Sequence, residues 1–218
     1  MTIQPLVNHL LLLYTVNKFD RGIKITRLQK IMFLSQWNGN EKGYQNAGFT
    51  FIRYKYGPFS RGIDPVITNL AATGLVRKAI IRKGWNDRLD SQTNMTFPLE
   101  EAATLIKRCK PIIKKNRSAF GTFDKIISYL GSLPLKKLLH SIYAMEVGQR
   151  PIRAIEFDTP LLADLEPEQI KVPFYLTEEW IQTLEVLFDP ETQQGLNESL
   201  LALREGDVVE TDKYYESL

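Results

Sequence analysis

Leu6, Leu10, Leu13 and Tyr14 recur at helical spacing, which predicts an amphipathic helix from Pro5 to about Lys18. Asp20-Arg21-Gly22 breaks it. Thr26-Arg27-Leu28-Gln29 has the form of a capping box, in which the Thr26 and Gln29 side chains satisfy the first free amides of a second helix. That helix turns Leu28, Ile31, Met32 and Trp37 inward and stops near Gly39. Phe49–Tyr54 is aromatic and alternates weakly, as a short strand does, and Gly57-Pro58 ends it as a turn. Asp64-Pro65 predicts a helix start, with Asp as N-cap and Pro at the first helical position. This third helix presents Val66, Ile67 and Leu70, and Gly74 closes it. Leu75–Ile81 and Gln92–Phe97 then read as the arms of a hairpin turned at Lys83–Asp87.

The pattern after the hairpin is helical. Leu99–Arg108, Ser118 to about Leu130, and Pro134 to about Val147 form successive segments, the first interrupted at Pro111. Pro151, Pro160, Pro167 and Pro173 punctuate a stretch expected to be an extended linker. Thr177-Glu178-Glu179 opens a helix with the stripe Trp180, Leu184, Leu187 and Phe188. Asp189-Pro190 breaks it, and Leu196, Leu200 and Leu203 mark a last helix ended by Gly206. The expected fold is mainly α within the α+β class. A winged-helix-like head with a small β-hairpin is followed by further helices and an acidic helical C-terminal segment. The expected organisation is a basic domain over residues 1–150, a linker over 151–175 and an acidic tail over 176–218.

Charge sharpens this division. Residues 1–155 hold 25 Lys/Arg against 9 Asp/Glu, a net of +16, whereas residues 156–218 hold 3 against 16, a net of −13. The whole chain therefore shows only +3. A basic head that meets an anion and an acidic tail that meets something basic fit such a split, and the basic surface can belong to another protein or to the chain's own head. The longest apolar run, Leu10–Tyr14, is too short to span a bilayer, and the N-terminus has no basic region of a signal peptide. One cysteine, Cys109, excludes an internal disulfide and fits a reducing cytoplasm. With His9 and His140 it gives no metal-ligand spacing. No Ser/His/Asp set or Gly-rich phosphate loop appears, so neither an enzyme nor a cofactor is expected, and the two histidines read as structural residues beside leucines.

Two basic segments carry two readings each. The hairpin Arg77–Arg88 has five basic residues near Trp85 and reads either as a phosphate-gripping wing or as a solvated hairpin. Lys107–Arg117 has six in eleven and reads either as a solvated helix face or as a dock for phosphates or for the acidic tail. The helix Asp64–Thr73 offers only Thr68 and Asn69 as polar readers of bases, without Lys or Arg, which disfavours base recognition. Backbone contacts to DNA would fall to Lys55, Arg61, Lys78, Arg82, Lys83 and Arg88.

The run Lys24-Ile25-Thr26-Arg27-Leu28-Gln29-Lys30-Ile31-Met32-Phe33-Leu34 is followed by Phe51–Ser60, with Tyr56-Gly57-Pro58 inside it, and by Gly74-Leu75-Val76. This order resembles the Panacea (SocA-like) antitoxin domain and its winged-helix relatives in bacteria and phages. Their features are a Leu-x-Lys helix, a Tyr-Gly-Pro turn and a closing Gly-Leu-apolar triplet. The likeness covers about residues 24–76. It departs where the family has an acidic-aromatic segment, because Phe51-Ile52-Arg53-Tyr54-Lys55 is basic. The string Gly195–Glu210 also faintly resembles the toxin-wrapping C-terminus of Phd/RelB-type antitoxins.

The resemblance implies a non-enzymatic protein that neutralises a cognate toxin by binding it, encoded beside that toxin and able to repress its own operon. The tail residues expected to contact the toxin are Trp180, Leu184, Leu196, Leu200, Leu203, Val208 and Tyr214. At Tyr56-Gly57-Pro58, the local reading is a rigid turn in which Gly supplies an unusual φ; the functional reading is a partner-binding face. The alternative is a winged-helix transcriptional regulator that binds DNA. Protein toxin and DNA are thus the partner classes, with a homodimer also open and no membrane.

Overall fold

The computed structural model describes residues 2–82 and 92–205, with backbone only at Arg82, Gln92, Thr93 and Glu205. It is mostly helical with three small antiparallel sheets. Helix α1 (Gln4–Asn17) is not amphipathic, because other elements cover it on all sides. Eight of its residues are buried: Val7, the whole run Leu10–Thr15, and Val16. Helix α2 (Ile25–Asn40) lies beside it and buries Leu28–Gln36. The expected capping box does not form: Lys24 is the N-cap and makes no side-chain cap. Gln29 faces inward instead, where its Nε2 donates to the Ser60 carbonyl and its Oε1 accepts the Ser60 amide, both at 2.9 Å. A side-chain amide thus replaces a neighbouring strand for a buried backbone pair.

Helix α3 (Ile63–Ala72) follows, and the hairpin is formed by β4 (Val76–Arg82) and β5 (Gln92–Pro98). The short β1 (Ile23–Lys24) completes this sheet in the order β1-β5-β4. Asp64 is not the N-cap of α3; Gly62 is, and the Asp64 carboxylate lies in the first turn. Gly74 closes the helix at φ +72°, as expected. A second hairpin, β2 (Phe51–Tyr54) and β3 (Gly57–Phe59), turns at Lys55-Tyr56, so Gly57-Pro58 begins the return strand rather than forming the turn.

Helices α4 (Glu100–Arg108), α5 (Lys110–Lys115), α6 (Arg117–Leu130) and α7 (Leu135–Ala144) follow. Strands β6 (Glu146–Val147) and β7 (Arg150–Pro151) then form a two-residue-turn hairpin over Gly148-Gln149, both with positive φ. Residues 151–175 do not behave as a spacer. Strand β8 (Pro160–Leu162) pairs with β2, Val172 bridges to Tyr44, and Phe174 is buried beside Phe120. Asn116 pins this stretch, its Nδ2 donating to the Tyr175 carbonyl at 2.8 Å and its Oδ1 accepting the Tyr175 amide at 2.7 Å.

Helix α8 (Glu178–Phe188) packs on α1 and shares the common core through Leu184 and Phe188. Its N-cap is Thr177, whose hydroxyl oxygen accepts the Trp180 amide. Helix α9 (Pro190–Glu205) follows, with Asp189 accepting the Thr192 amide at its start, and packs on α8. The acidic segment is therefore divided: α8 belongs to the body, while α9 stands on top of it.

Candidate functional site

Three groups of residues bear on function. The first surrounds the Tyr56-Gly57-Pro58 segment. Strand β2 alternates, so Phe51 and Arg53 face inward while Tyr54 stays exposed. Gly57 has φ +84°, a backbone state that only glycine takes freely. A Cβ there would lie 3.7 Å from both Lys30 Cε and the Tyr143 ring, so the conformation rather than crowding demands glycine. Tyr56 is exposed, and Pro58 is buried.

Behind this turn lies Lys30, only 2% exposed, with its Nζ donating to the Pro58 carbonyl at 2.5 Å. Burial, reinforced by the charge of Arg53, lowers its pKa to about 7. Arg53 is also buried. Its Nε donates to the Ile152 carbonyl at 2.9 Å and Nη1 donates to the Tyr54 carbonyl. Its guanidinium centre sits 5.1 Å from the Tyr143 ring and 5.0 Å from the Phe157 ring. Such cation–π contacts replace part of the lost hydration. Among the described residues, no carboxylate forms an ion pair with Lys30 or Arg53. A cavity of about 470 Å³ opens beside Arg53, lined also by His140, Tyr143, Glu146 and Arg153. His140 is exposed here and is not the packed structural histidine expected from its leucine neighbours. His9 does pack, with its ring on Phe188 at 5.1 Å and Nδ1 bonded to the Pro5 carbonyl, and burial lowers its pKa.

The second group is the set of nucleic-acid candidates, several of which are engaged within the chain. Lys78 Nζ donates to Asp64 Oδ1 at 3.1 Å and to Thr68 Oγ1 at 2.9 Å, and Arg61 lies 3.7 Å from Asp158. Asp64 thus places a negative charge at the start of α3, the helix that would have to approach DNA. Lys55 lies 5.6 Å from the Tyr56 ring. Arg82 contributes only its backbone to the description, and Lys83, Trp85 and Arg88 lie outside the described residues.

The third group is the C-terminal stripe, and here the structure separates what the sequence joined. Leu184 is fully buried against α1 and Trp180 is half-buried near Pro111, Lys115 and Tyr175, so both hold α8 to the body. Leu184, expected among the toxin contacts, has no surface with which to meet a partner. On α9 the leucines face solvent: Leu196 is 46%, Leu200 53%, Leu201 54% and Leu203 59% exposed. Val208 and Tyr214 lie outside the described residues. The basic run Lys107–Arg117 meets the segment before α8 through Asn116 and through Lys115, which lies 5.0 Å from the Tyr175 ring. Among the described residues, no acid of α8 or α9 pairs with a base of the head.

Among the described residues, no helix is long and apolar enough to cross a membrane, and no group of three or more His, Cys, Asp or Glu is placed to hold a metal ion. No family model matches the chain, and no curated protein is significantly similar to it.

Proposed function

We propose that this chain is an antitoxin-like binding protein that neutralises a protein partner by covering it, with α9 as the docking element. The observation that carries this reading is the exposure of four leucines along one 16-residue helix. Contiguous exposed apolar surface of that kind marks interaction sites. Charge names the partner's chemistry. With a net of −13 over residues 156–218 and no ion pairs from α8 or α9 to the head among the described residues, the segment is fitted to a basic protein surface, such as that of a nuclease toxin. The Panacea-like segment supports the same reading through the exposed Tyr56, set in the β2–β3 turn just before Gly57.

The test is co-expression with the product of the adjacent gene. The full chain is expected to restore growth and co-elute with that product. A Leu200→Glu/Leu203→Glu variant should lose both effects while keeping its melting temperature. Protection by a chain ending at Asp189, which keeps α8 and removes α9, would refute the assignment.

The DNA-binding alternative rests on one specific observation. The order of helices α1 to α3, the hairpin and the sheet β1-β5-β4 supports a reading of the head as winged-helix-like. The engagement of Lys78 and Arg61 by carboxylates counts against DNA as its main ligand. A salt-sensitive shift of the chain's own promoter DNA would favour this alternative.

A further inference from the structure

We propose that the cavity between β2, α7 and the β6–β7 hairpin binds the phosphate group of a phosphorylated small molecule, with Arg53, Arg153 and His140 as its recognition groups. Arg53 is the anchor. A guanidinium has five N–H donors. Its Nε and one Nη1 donor serve the carbonyls of Ile152 and Tyr54, and no protein acceptor among the described residues takes those of Nη2. The two carbonyl bonds and the flanking rings of Tyr143 and Phe157 fix the plane of the fork. A held fork loses little freedom when it meets an oxyanion, which is the advantage of arginine at such sites.

Arg153 is a second cation lining the same cavity, and His140 adds ring nitrogens to it; both are exposed, so they can close on a ligand from the rim. Lys30 lies behind Pro58, and its charged form is disfavoured by burial and further by the neighbouring Arg53 guanidinium. Buried positive charge without a paired carboxylate is costly, and a bound anion offsets that cost.

Two observations select the ligand class. The volume of about 470 Å³ lies within the range of small-molecule sites and is too confined for a duplex. Glu146 lines the same cavity, so the site is not uniformly cationic. A carboxylate at the rim repels a bare polyanion but can accept from a hydroxyl or amino group. The site therefore fits a phosphate monoester carrying such donors, of nucleotide or sugar-phosphate size, rather than a nucleic-acid backbone.

Titration calorimetry of the full chain at fixed ionic strength tests this with AMP, ribose 5-phosphate, adenosine and a single-stranded oligonucleotide. At least one of the two monoesters is expected to saturate the protein with a Kd below about 1 mM, and adenosine is expected not to bind. Arg153→Glu and His140→Ala change exposed side chains, so they should keep the ligand-free melting temperature. Arg153→Glu should weaken monoester binding by about tenfold or more, the scale of a lost charge-assisted contact. Failure of both monoesters to saturate, adenosine binding as well as AMP, or tighter binding of the oligonucleotide overturns the proposal. So does an Arg153→Glu variant that binds as the unmodified chain does.

Discussion

Replacing Lys30 with methionine should remove a loss of stability that grows as pH falls. An ordinary lysine titrates at 10.5, and burial with Arg53 nearby brings Lys30 to about 7. The gap corresponds to roughly 5 kcal/mol against the charged form in the folded state. Unfolded lysine stays protonated where folded Lys30 is neutral, so the unfolded state binds more protons between these two values. Stability must therefore rise with pH across this window, and it is lost as pH falls from 10.5 through about 7. Between about pH 9 and about pH 6 the loss comes to roughly 2–3 kcal/mol. Lys30→Met has no such titration. It does lose the bond to the Pro58 carbonyl, which a neutral amine still makes, at a cost of about 1–3 kcal/mol at either pH. The difference between the two proteins removes every other titrating group, and comparing that difference at the two pH values removes the constant. Urea unfolding at both pH values should show the variant gaining roughly 2–3 kcal/mol on the parent at the acidic end. A difference that stays constant to within about 0.5 kcal/mol would show that Lys30 keeps its ordinary pKa, and the argument would fail.

Gly57→Ala should cost roughly 1–2 kcal/mol in urea unfolding, because space is available for the Cβ but φ +84° is not favourable for alanine. An unchanged midpoint would mean that the turn relaxes. Gly121 lies within α6 with nothing near a built Cβ, so Gly121→Ala should stabilise by about 0.5–1 kcal/mol, read as a higher melting temperature. Leu184→Ala should cost about 2–5 kcal/mol by opening a cavity against α1, whereas Leu200→Ala on the exposed face should stay within about 0.5 kcal/mol of the parent. Equal effects of these two changes would contradict the division between α8 and α9.

Much of this arrangement was written locally and some of it was not. The β4–β5 hairpin, the Gly74 stop and the Thr177 cap depend on neighbours in sequence and appear where the pattern puts them. Leu6, Leu10, Leu13 and Tyr14 sit at the spacing of a single apolar face, yet α1 buries the whole run Leu10–Val16. The unbroken run Leu10–Tyr14 was the better signal, since a helix apolar on every side is a central one. Gln29 could not be placed from its spacing to Thr26, because its partner Ser60 is 31 residues away. The prolines of 151–175 suggested a spacer, but pairing of β8 with β2 needs only a few residues and leaves a weak pattern. Arg53 carried a readable sign: it shares strand parity with Phe51, so its side chain had to face inward. Its role beside Tyr143 and Arg153 depends on tertiary contacts about a hundred residues apart, such as that to Ile152, which no motif encodes.

The charge split takes on a different meaning once the contacts are known. If the acidic half existed to neutralise the basic half, ion pairs should join α8 or α9 to the head. The three ion pairs among the described residues instead join Lys18 to Asp124, Arg61 to Asp158 and Lys78 to Asp64. Helix α8 is held by Leu184, Phe188 and Trp180, that is, by apolar burial, which is insensitive to salt. Its attachment should therefore survive high ionic strength, while any partner steered to the acidic face should associate more slowly there. A fold held by apolar contacts leaves both charge fields available to ligands, the acidic one around the leucines of α9 and the basic one around Arg53.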